Sequence, residues 1–374
     1  MKGYFRKRGN TWTFTVDTGV DERGKRVQTV RGGFKTKKEA QQACNELINK
    51  VKNDICIEPS KITLKEYLID WLETSAKQRI RLGTYDTHKL LITKHINPSL
   101  GKIRLDQLGP MQIQKFYAKK IDQGHSPEYV RRMHSILNSA LNQAVKWKMI
   151  TTNPASLTSP PKIEYKEKGT WTIEEANRFL KHTKEEPLLH IGYLLAIYTG
   201  MRLGEILGLR WKDCDFEKGQ ISIRQTLART SKGLVFQEPK TKSSRRVIAI
   251  TDDIVAALKK HKALQNQNKL LLGAGYQDHD LVVCTSKGTP IIPSNFRRHY
   301  KRMIKEADIP KIRFHDLRHT HATIMLQLGE HPKVVSERLG HSRTSVTLDV
   351  YSHVIPNIQS GAAKKFSEAF QATK

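Results

Sequence analysis

Acidic side chains are scarce in this chain: 36 Asp and Glu stand against 65 Lys and Arg, a net charge of +29 over 374 residues. The imbalance runs along the whole sequence rather than sitting in one tail. It points to a polyanionic partner, with nucleic acid ahead of a membrane surface. Hydrophobic runs of bilayer-spanning length are missing. The start, MKGYFRKRGNTWTF, has no apolar stretch of the kind a signal peptide needs. Those two absences argue against a spanning or exported protein, and the expected place of work is the bacterial cytoplasm. Cysteine is rare: Cys44, Cys56, Cys214 and Cys284 form no C-x-x-C pair. That spacing disfavours a disulfide framework and fits reduced thiols. The length suits roughly two to three domains, each with its own core.

The first part, residues 1–57, reads as a small sheet backed by one helix. TWTFTVD alternates Trp12, Phe14 and Val16 on one face, the period of a half-buried strand. KRVQTV follows as a second strand-like stretch. Thr36 and Glu39 then have the spacing of a capping box. Behind them Ala40, Ala43, Cys44, Leu47, Ile48 and Val51 recur at helical spacing. Residues 1–61 hold 14 Lys or Arg against 7 acids. A solvated basic surface would account for that count. A sheet of this width, ringed by cations, also fits a DNA major groove, and DNA contact is the preferred reading.

The second part, residues 62–155, reads as all helix. TLKEYLIDWLET opens with Thr63 and Glu66 as another capping box, and Ser126 with Pro127 starts a long helix. Val130, Met133, Leu137, Ala140 and Ala144 form its apolar stripe, with Arg131, Arg132 and Lys146 off it. No chemistry is expected here; a basic helical bundle of this size suits a DNA clamp. The Pro-, Ser- and Thr-rich stretch at residues 151–162 reads as an extended linker.

The third part, residues 165–374, carries the reactive residue types. Thr172 and Glu175 announce its first helix. LLHIGYLLAIYTGMRLGEILGLRW is apolar enough to be buried, yet it contains Arg202. A buried arginine needs a partner. Either Glu205, three residues on, or an anionic ligand could serve. Further on, ISIRQT and VFQEPKTKSSRRVIAI read as two strand patterns flanking a turn set with Lys240, Lys242, Arg245 and Arg246. In HDLRHTHATIMLQLG, a helix would put His315, Arg318 and His319 on one face. Asp316 stands where an H-E-x-x-H zinc site has glutamate, and Arg318 would aim a cation at a metal. A phosphate suits that face better, because arginine bonds phosphate through two N–H groups. Then come His341, after a Leu-Gly pair, and Tyr351 ten residues later.

TGMRLGEILGLRW, HDLRHTHA and LGHSRTSVTLDVYSH, in this order, resemble the tyrosine recombinases, or phage-type integrases, including those of Gram-positive phages and integrative conjugative elements. Each motif alone is weak; together over about 150 residues they are specific. The resemblance implies a multidomain α+β chain. Its expected parts are an N-terminal three-stranded sheet plus helix binding arm-type DNA (1–57), a helical, SAM-like core-binding bundle (62–155) and a mostly α catalytic domain with a small β-hairpin or sheet (165–374). The implied activity is site-specific integration and excision of a mobile element. By this resemblance Arg202 and Arg318 hold the scissile phosphate and His341 hydrogen-bonds it. Tyr351 is the nucleophile, Lys240 the general acid (ahead of Lys242), and His315 the base or proton shuttle. His319 and His321 have no assigned role. The bond energy stays in a 3′-phosphotyrosyl link, so neither ATP, metal nor other cofactor is implied. The implied partners are double-stranded DNA at core and arm attachment sites, a homotetramer on synapsed DNA and a directionality factor or DNA-bending protein. A type IB topoisomerase uses related chemistry but needs no separate arm-binding module. A non-catalytic DNA-binding regulator would leave the Arg, Lys, His-x-x-Arg, His and Tyr set unexplained.

Overall fold

A computed structural model of the chain describes residues 3–20, 26–52, 62–164, 169–239, 242–341, 366–368 and 371. The chain parts into two compact units, Met1–Glu164 and Tyr165–Lys374.

Within the first unit, β1 (Tyr4–Arg8), β2 (Thr11–Val20) and β3 (Arg26–Phe34) form an antiparallel sheet in sequence order, followed by α1 (Lys37–Lys52). The alternation read from the sequence is realised: Phe14 and Val16 are buried with Ala40, Cys44 and Leu47 of α1. Phe5 and Phe34 flank Phe14, with ring centroids 6.3 and 5.7 Å away. β1, which the alternation did not single out, pairs Tyr4 with Thr15 and Arg8 with Thr11. The Thr36 hydroxyl accepts from the Glu39 amide at 3.2 Å, but the Glu39 carboxylate reaches the Lys35 amide rather than that of Thr36.

The helical segment of the same unit contains α2 (Leu64–Trp71), α3 (Leu82–Leu91), α4 (Asn97–Leu100), α5 (Pro110–Asp122) and α6 (Pro127–Lys146), with single π-helical turns at Leu72–Ala76 and Ile92–Ile96. Both signals expected at the helix starts are present: the Thr63–Glu66 box on α2 and the Ser126 cap on α6. Val130, Met133, Leu137, Ala140 and Ala144 are buried at 0 % exposure, so α6 forms one wall of the core. Each large aliphatic side chain sealed there contributes roughly 1.5–3 kcal/mol relative to exposure. The stretch after α6 departs from the extended linker expected. Residues Pro154–Leu157 form a short 3-10 helix, because the Asn153 side chain bonds Asn138 and Asn142 of α6 and caps Ala155. Gln114 of α5 then holds Ser159 through both its amide and its carbonyl. Docking therefore continues past residue 155.

The second unit opens with α7 (Ile173–Thr183), α8 (Pro187–Thr199) and α9 (Leu203–Leu207). Two small sheets follow: β4 (Cys214–Asp215), β5 (Gln220–Ser222) and β8 (Val247–Ala249) in one, β6 (Thr226–Thr230) and β7 (Gly233–Gln237) in the other. The rest is helical: α10 (Asp252–Leu272), α11 (Pro293–Glu306), α12 (Asp316–Gln327) and α13 (Pro332–Leu339). One core gathers around Trp171, Phe179, Tyr193, Phe296 and Tyr300, and a smaller one joins α12 to α13 through Ala322, Leu326, Val335 and Leu339. The strand reading needs a correction. β5 and β8 do pair, Ile221 opposite Ile248, but the hairpin between them is β6–β7, turning at Ser231 and Lys232. The basic stretch containing Lys242, Arg245 and Arg246 thus joins β7 to β8. Among the described residues no helix is long and apolar enough to cross a membrane.

Candidate active site

The long apolar stretch expected as one buried segment is broken in the structure, and the break makes the site. α8 ends at Gly200, whose φ of +63° is left-handed. A Cβ there would lie 2.4 Å from Leu339 and 2.9 Å from His321, so only glycine fits. The chain then runs extended through Arg202, which sits at the N-cap of α9. A second left-handed glycine, Gly340 at +68°, ends α13 and delivers His341, whose amide bonds the Ser336 carbonyl at 3.0 Å. A Cβ on Gly340 would meet the Ser243 carbonyl oxygen at 2.6 Å.

Glu205 organises the cations. It is 2 % exposed and accepts four hydrogen bonds. Its Oε1 takes Nη1 of Arg202 at 2.7 Å and Nη1 of Arg246 at 3.2 Å. Its Oε2 takes Nη2 of Arg246 at 2.9 Å and the Arg202 amide at 3.0 Å. Burial alone would raise its pKa, but the Arg246 bond and the neighbouring arginine charges hold it below the usual carboxylate value. Both openings weighed for Arg202 are therefore present at once. It pairs with Glu205, yet it is 36 % exposed and only one of its guanidinium nitrogens is spent on the carboxylate. Its Nη2 also reaches the Gly340 carbonyl at 3.3 Å.

Arg318 lies on the first turns of α12 and is 3 % exposed. Its Nη1 donates to the Gly200 carbonyl at 3.0 Å, while Nη2 is buried and finds no hydrogen-bond partner among the described residues. Burial, then the charges of Arg202 and Arg246, push its pKa down to about 9. The same charges act on His341: burial first, then Arg318 and Arg202, push its pKa down to about 3, so it is a neutral imidazole at any working pH. Arg202, Arg246, Arg318 and His341 thus share one electrostatic neighbourhood.

His315 is the N-cap of α12 and exposed, held out by the turn beneath it. Arg313 grips buried Asp316 with Nε and Nη2, both at 2.9 Å. The His315 ring meets that of His319 edge to face at 5.5 Å. His321 is buried on the opposite side. It bonds the Ile197 carbonyl through Nδ1 at 2.9 Å and accepts from Nε of Arg338 through Nε2 at 3.2 Å. Arg338 also ties down the carbonyls of Ala249 and Tyr198. Arg202, Arg318 and His341 come together, and His315 occupies the N-cap position of the helix on which Arg318 is buried. Lys240 and Tyr351 lie outside the described residues. Sequence reasoning named Glu205 only as a possible partner and Arg246 only as a turn cation. Their shared role had no signal at short spacing, since the two are 41 residues apart.

Comparison with known proteins identifies the family of the chain. Residues 171–357 match the phage integrase family, residues 63–121 its N-terminal SAM-like domain and residues 4–51 an arm DNA-binding domain. A XerC-like tyrosine recombinase of Caldanaerobacter subterraneus is 32 % identical over 95 % of both chains. The ICEBs1 integrase of Bacillus subtilis is 30 % identical over 76 % of this chain and 77 % of its own. Among solved structures, the Tn1549 transposon integrase bound to transposon right-end DNA superposes with a TM-score of 0.70 at 19 % identity, covering 82 % of this chain and all of that one. A λ integrase dimer on a core site gives 0.58 at 20 % identity, over 77 % of this chain and 95 % of that one. The chain belongs to the phage integrase family, and it is a tyrosine-type site-specific recombinase.

Proposed function

We propose that this recombinase integrates and excises a mobile DNA element, and that Arg202, Arg318 and His341 hold the phosphate it cuts. The observation that carries the reading is the buried Nη2 of Arg318, which has no hydrogen-bond partner among the described residues. An N–H donor left dry costs roughly 1–3 kcal/mol, more when charged, and a phosphate oxygen would relieve that cost. Beside it stand a half-exposed arginine and a neutral imidazole, which together with Arg318 suit the non-bridging oxygens of a phosphodiester. Such donors act most strongly on the pentacoordinate transition state, where charge on those oxygens rises.

In the chemistry we assign, Tyr351 Oη attacks phosphorus as His315 accepts its proton. The bond from phosphorus to the 5′-oxygen breaks, and Lys240 gives that oxygen a proton. The products are a 3′-phosphotyrosyl link and a free 5′-hydroxyl, and reversal onto a new 5′-hydroxyl rejoins the strand. A phenol of ordinary pKa about 10 needs such a cationic surrounding to react near neutrality. Integration and excision of an element find support in the relatives, which include the ICEBs1 integrase and the Tn916 transposase of Enterococcus faecalis. We assign residues 1–57 to arm-type sites, 62–155 and 165–374 to the core site, and the working assembly to a tetramer on two synapsed duplexes. A directionality factor or DNA-bending protein completes it.

A nicked suicide duplex tests the assignment. The chain should form a covalent adduct with it, Tyr351→Phe should form none while still binding, and two duplexes should exchange strands. Recombination by Tyr351→Phe would sink the nucleophile. Adduct formation without strand exchange would favour a topoisomerase. A 5′-bridging sulfur leaves without a proton, so it should rescue Lys240→Ala; rescue of Lys242→Ala instead would move the general acid.

A further inference from the structure

Arg246 touches three parts of the site, and the roles above leave it without one. Its Nε donates to the Arg338 carbonyl at 2.7 Å, at the end of α13. Its Nη1 reaches back to the Ser244 carbonyl at 3.3 Å, and its fork closes on Glu205. The side chain is 6 % exposed, against 2 % for the carboxylate it binds. An ionised carboxylate has about four lone-pair positions. Here all four are filled, two of them by Arg246.

We propose that Arg246 is a positioning residue that lets Glu205 orient Arg202 without neutralising it. Three arginines share the neighbourhood of this one carboxylate, so the cluster keeps an excess of positive charge for a phosphate. Without Arg246, a carboxylate buried to 2 % exposure would lose two donors and its main counter-charge. Arg202 would be the cation left to repair that loss. It would swing from a single Nη1 contact towards a two-pronged grip and give its charge to Glu205 rather than to substrate. Arg246 thus supplies the second positive charge, and Arg202 stays available. The inference rests on the reading of Arg202 as a phosphate clamp.

A double-mutant cycle in the full chain separates this role from simple bracing. Adduct formation is followed on the suicide duplex at saturating DNA, with DNA affinity and thermal midpoint measured for each variant. Arg246→Gln should slow adduct formation at least about tenfold while duplex binding stays within about twofold. Adding Glu205→Gln to it removes the unbalanced negative charge, so the double variant should be faster than Arg246→Gln alone. In the parent background the same Glu205→Gln change should slow the enzyme. That reversal of sign is what bracing cannot produce. A double variant as slow as Arg246→Gln, or slower, overturns the proposal, as does an Arg246→Gln enzyme that cleaves at the parent rate. If Arg246→Gln does not fold, Arg246→Lys carries the test. It keeps the charge and loses the fork, and it should retain most of the parent rate; a loss as deep as that of Arg202→Ala would overturn the charge role. Normal cleavage by Arg202→Ala would instead defeat the clamp reading itself.

Discussion

The helical segment of the first unit and the second unit spend the same residue type in opposite ways. On α6, Arg131, Arg132 and Lys146 stand in solvent, and the wall behind them is wholly apolar. Lys120 is the one buried cation among the described residues of that segment. In the second unit Arg318 is sealed to 3 % exposure and the Arg246 side chain to 6 %, held by backbone carbonyls and one glutamate. A solvated cation costs almost nothing, is screened by salt, and can be exchanged with small effect. A buried one carries a desolvation cost of several kcal/mol and is exchanged only with loss of its partners' satisfaction. The net charge announces a DNA-binding chain, but it cannot tell which cations bind and which react. On the role proposed for Arg318, burial is what sets it apart from the cations of α6.

The division can be broken most directly at Arg318. Arg318→Ala should cost roughly 3 kcal/mol of transition-state stabilisation, about a hundredfold or more in adduct rate, as for loss of a preorganised oxyanion donor. Arg318→Lys should recover little of it, because an ammonium cannot bond the Gly200 carbonyl and a phosphate through one planar fork. The double change Arg131→Ala, Arg132→Ala should leave the adduct rate at saturating DNA untouched. Equal losses at both places would erase the distinction between binding and reacting cations.

How far the site could be read beforehand follows the same line. Helix starts were legible because capping is local: Thr63, Ser126 and Thr172 each act within three residues. The apolar stripes of α1 and α6 were legible for the same reason. The break after α8 was not, because the hydrophobicity of the stretch says only that it is buried. The chain turns there on Gly200, and what forbids a larger residue is Leu339, far away in sequence. Likewise, strand patterns showed β5 and β8 but not the inserted β6–β7 hairpin, since alternation does not specify partners. The Glu205–Arg246 pair and the His321–Arg338 pair are tertiary facts. His321 lies in the same motif as Arg318 yet faces away from it, and its partners, the Ile197 carbonyl and Arg338, appear only in the structure.

His321 sharpens the comparison through acid. Burial, then the charge of Arg338, push its pKa down to about 4. In the unfolded chain an imidazole titrates near its ordinary value of about 6.5. Between those values the unfolded state binds more protons than the folded one, so stability falls as pH drops through this window. The contribution lost between pH 7 and 5 is about 2 kcal/mol. His321→Asn can still donate to the Ile197 carbonyl and accept from Arg338, and it does not titrate. Urea midpoints at the two pH values should therefore lie closer together in the variant, with His341 and His190 keeping the rest of the acid slope; an unchanged acid slope would mean His321 is not held neutral. A slightly smaller loss, roughly 1–2 kcal/mol, is expected for Gly340→Ala from left-handed strain alone, read as a lower urea midpoint at pH 7. Its methyl would also press on the Ser243 carbonyl.

The smallest effect concerns the solvated side of the comparison. If the exposed cations of α6 lie against DNA, each phosphate they neutralise releases condensed counterions, and the slope of log affinity against log salt is about −0.9 per contact. Arg131→Ala with Arg132→Ala should then flatten that slope by up to about 2, weakening binding almost equally for every sequence. The alternative is that these arginines only keep a helix surface wet, Arg131 meanwhile resting on the Pro161 carbonyl at 3.4 Å. Core-site DNA titrated over a range of salt concentrations decides between them. A parallel line for parent and variant would mean that α6 faces solvent in the complex, and that the excess charge of this segment serves solubility rather than grip.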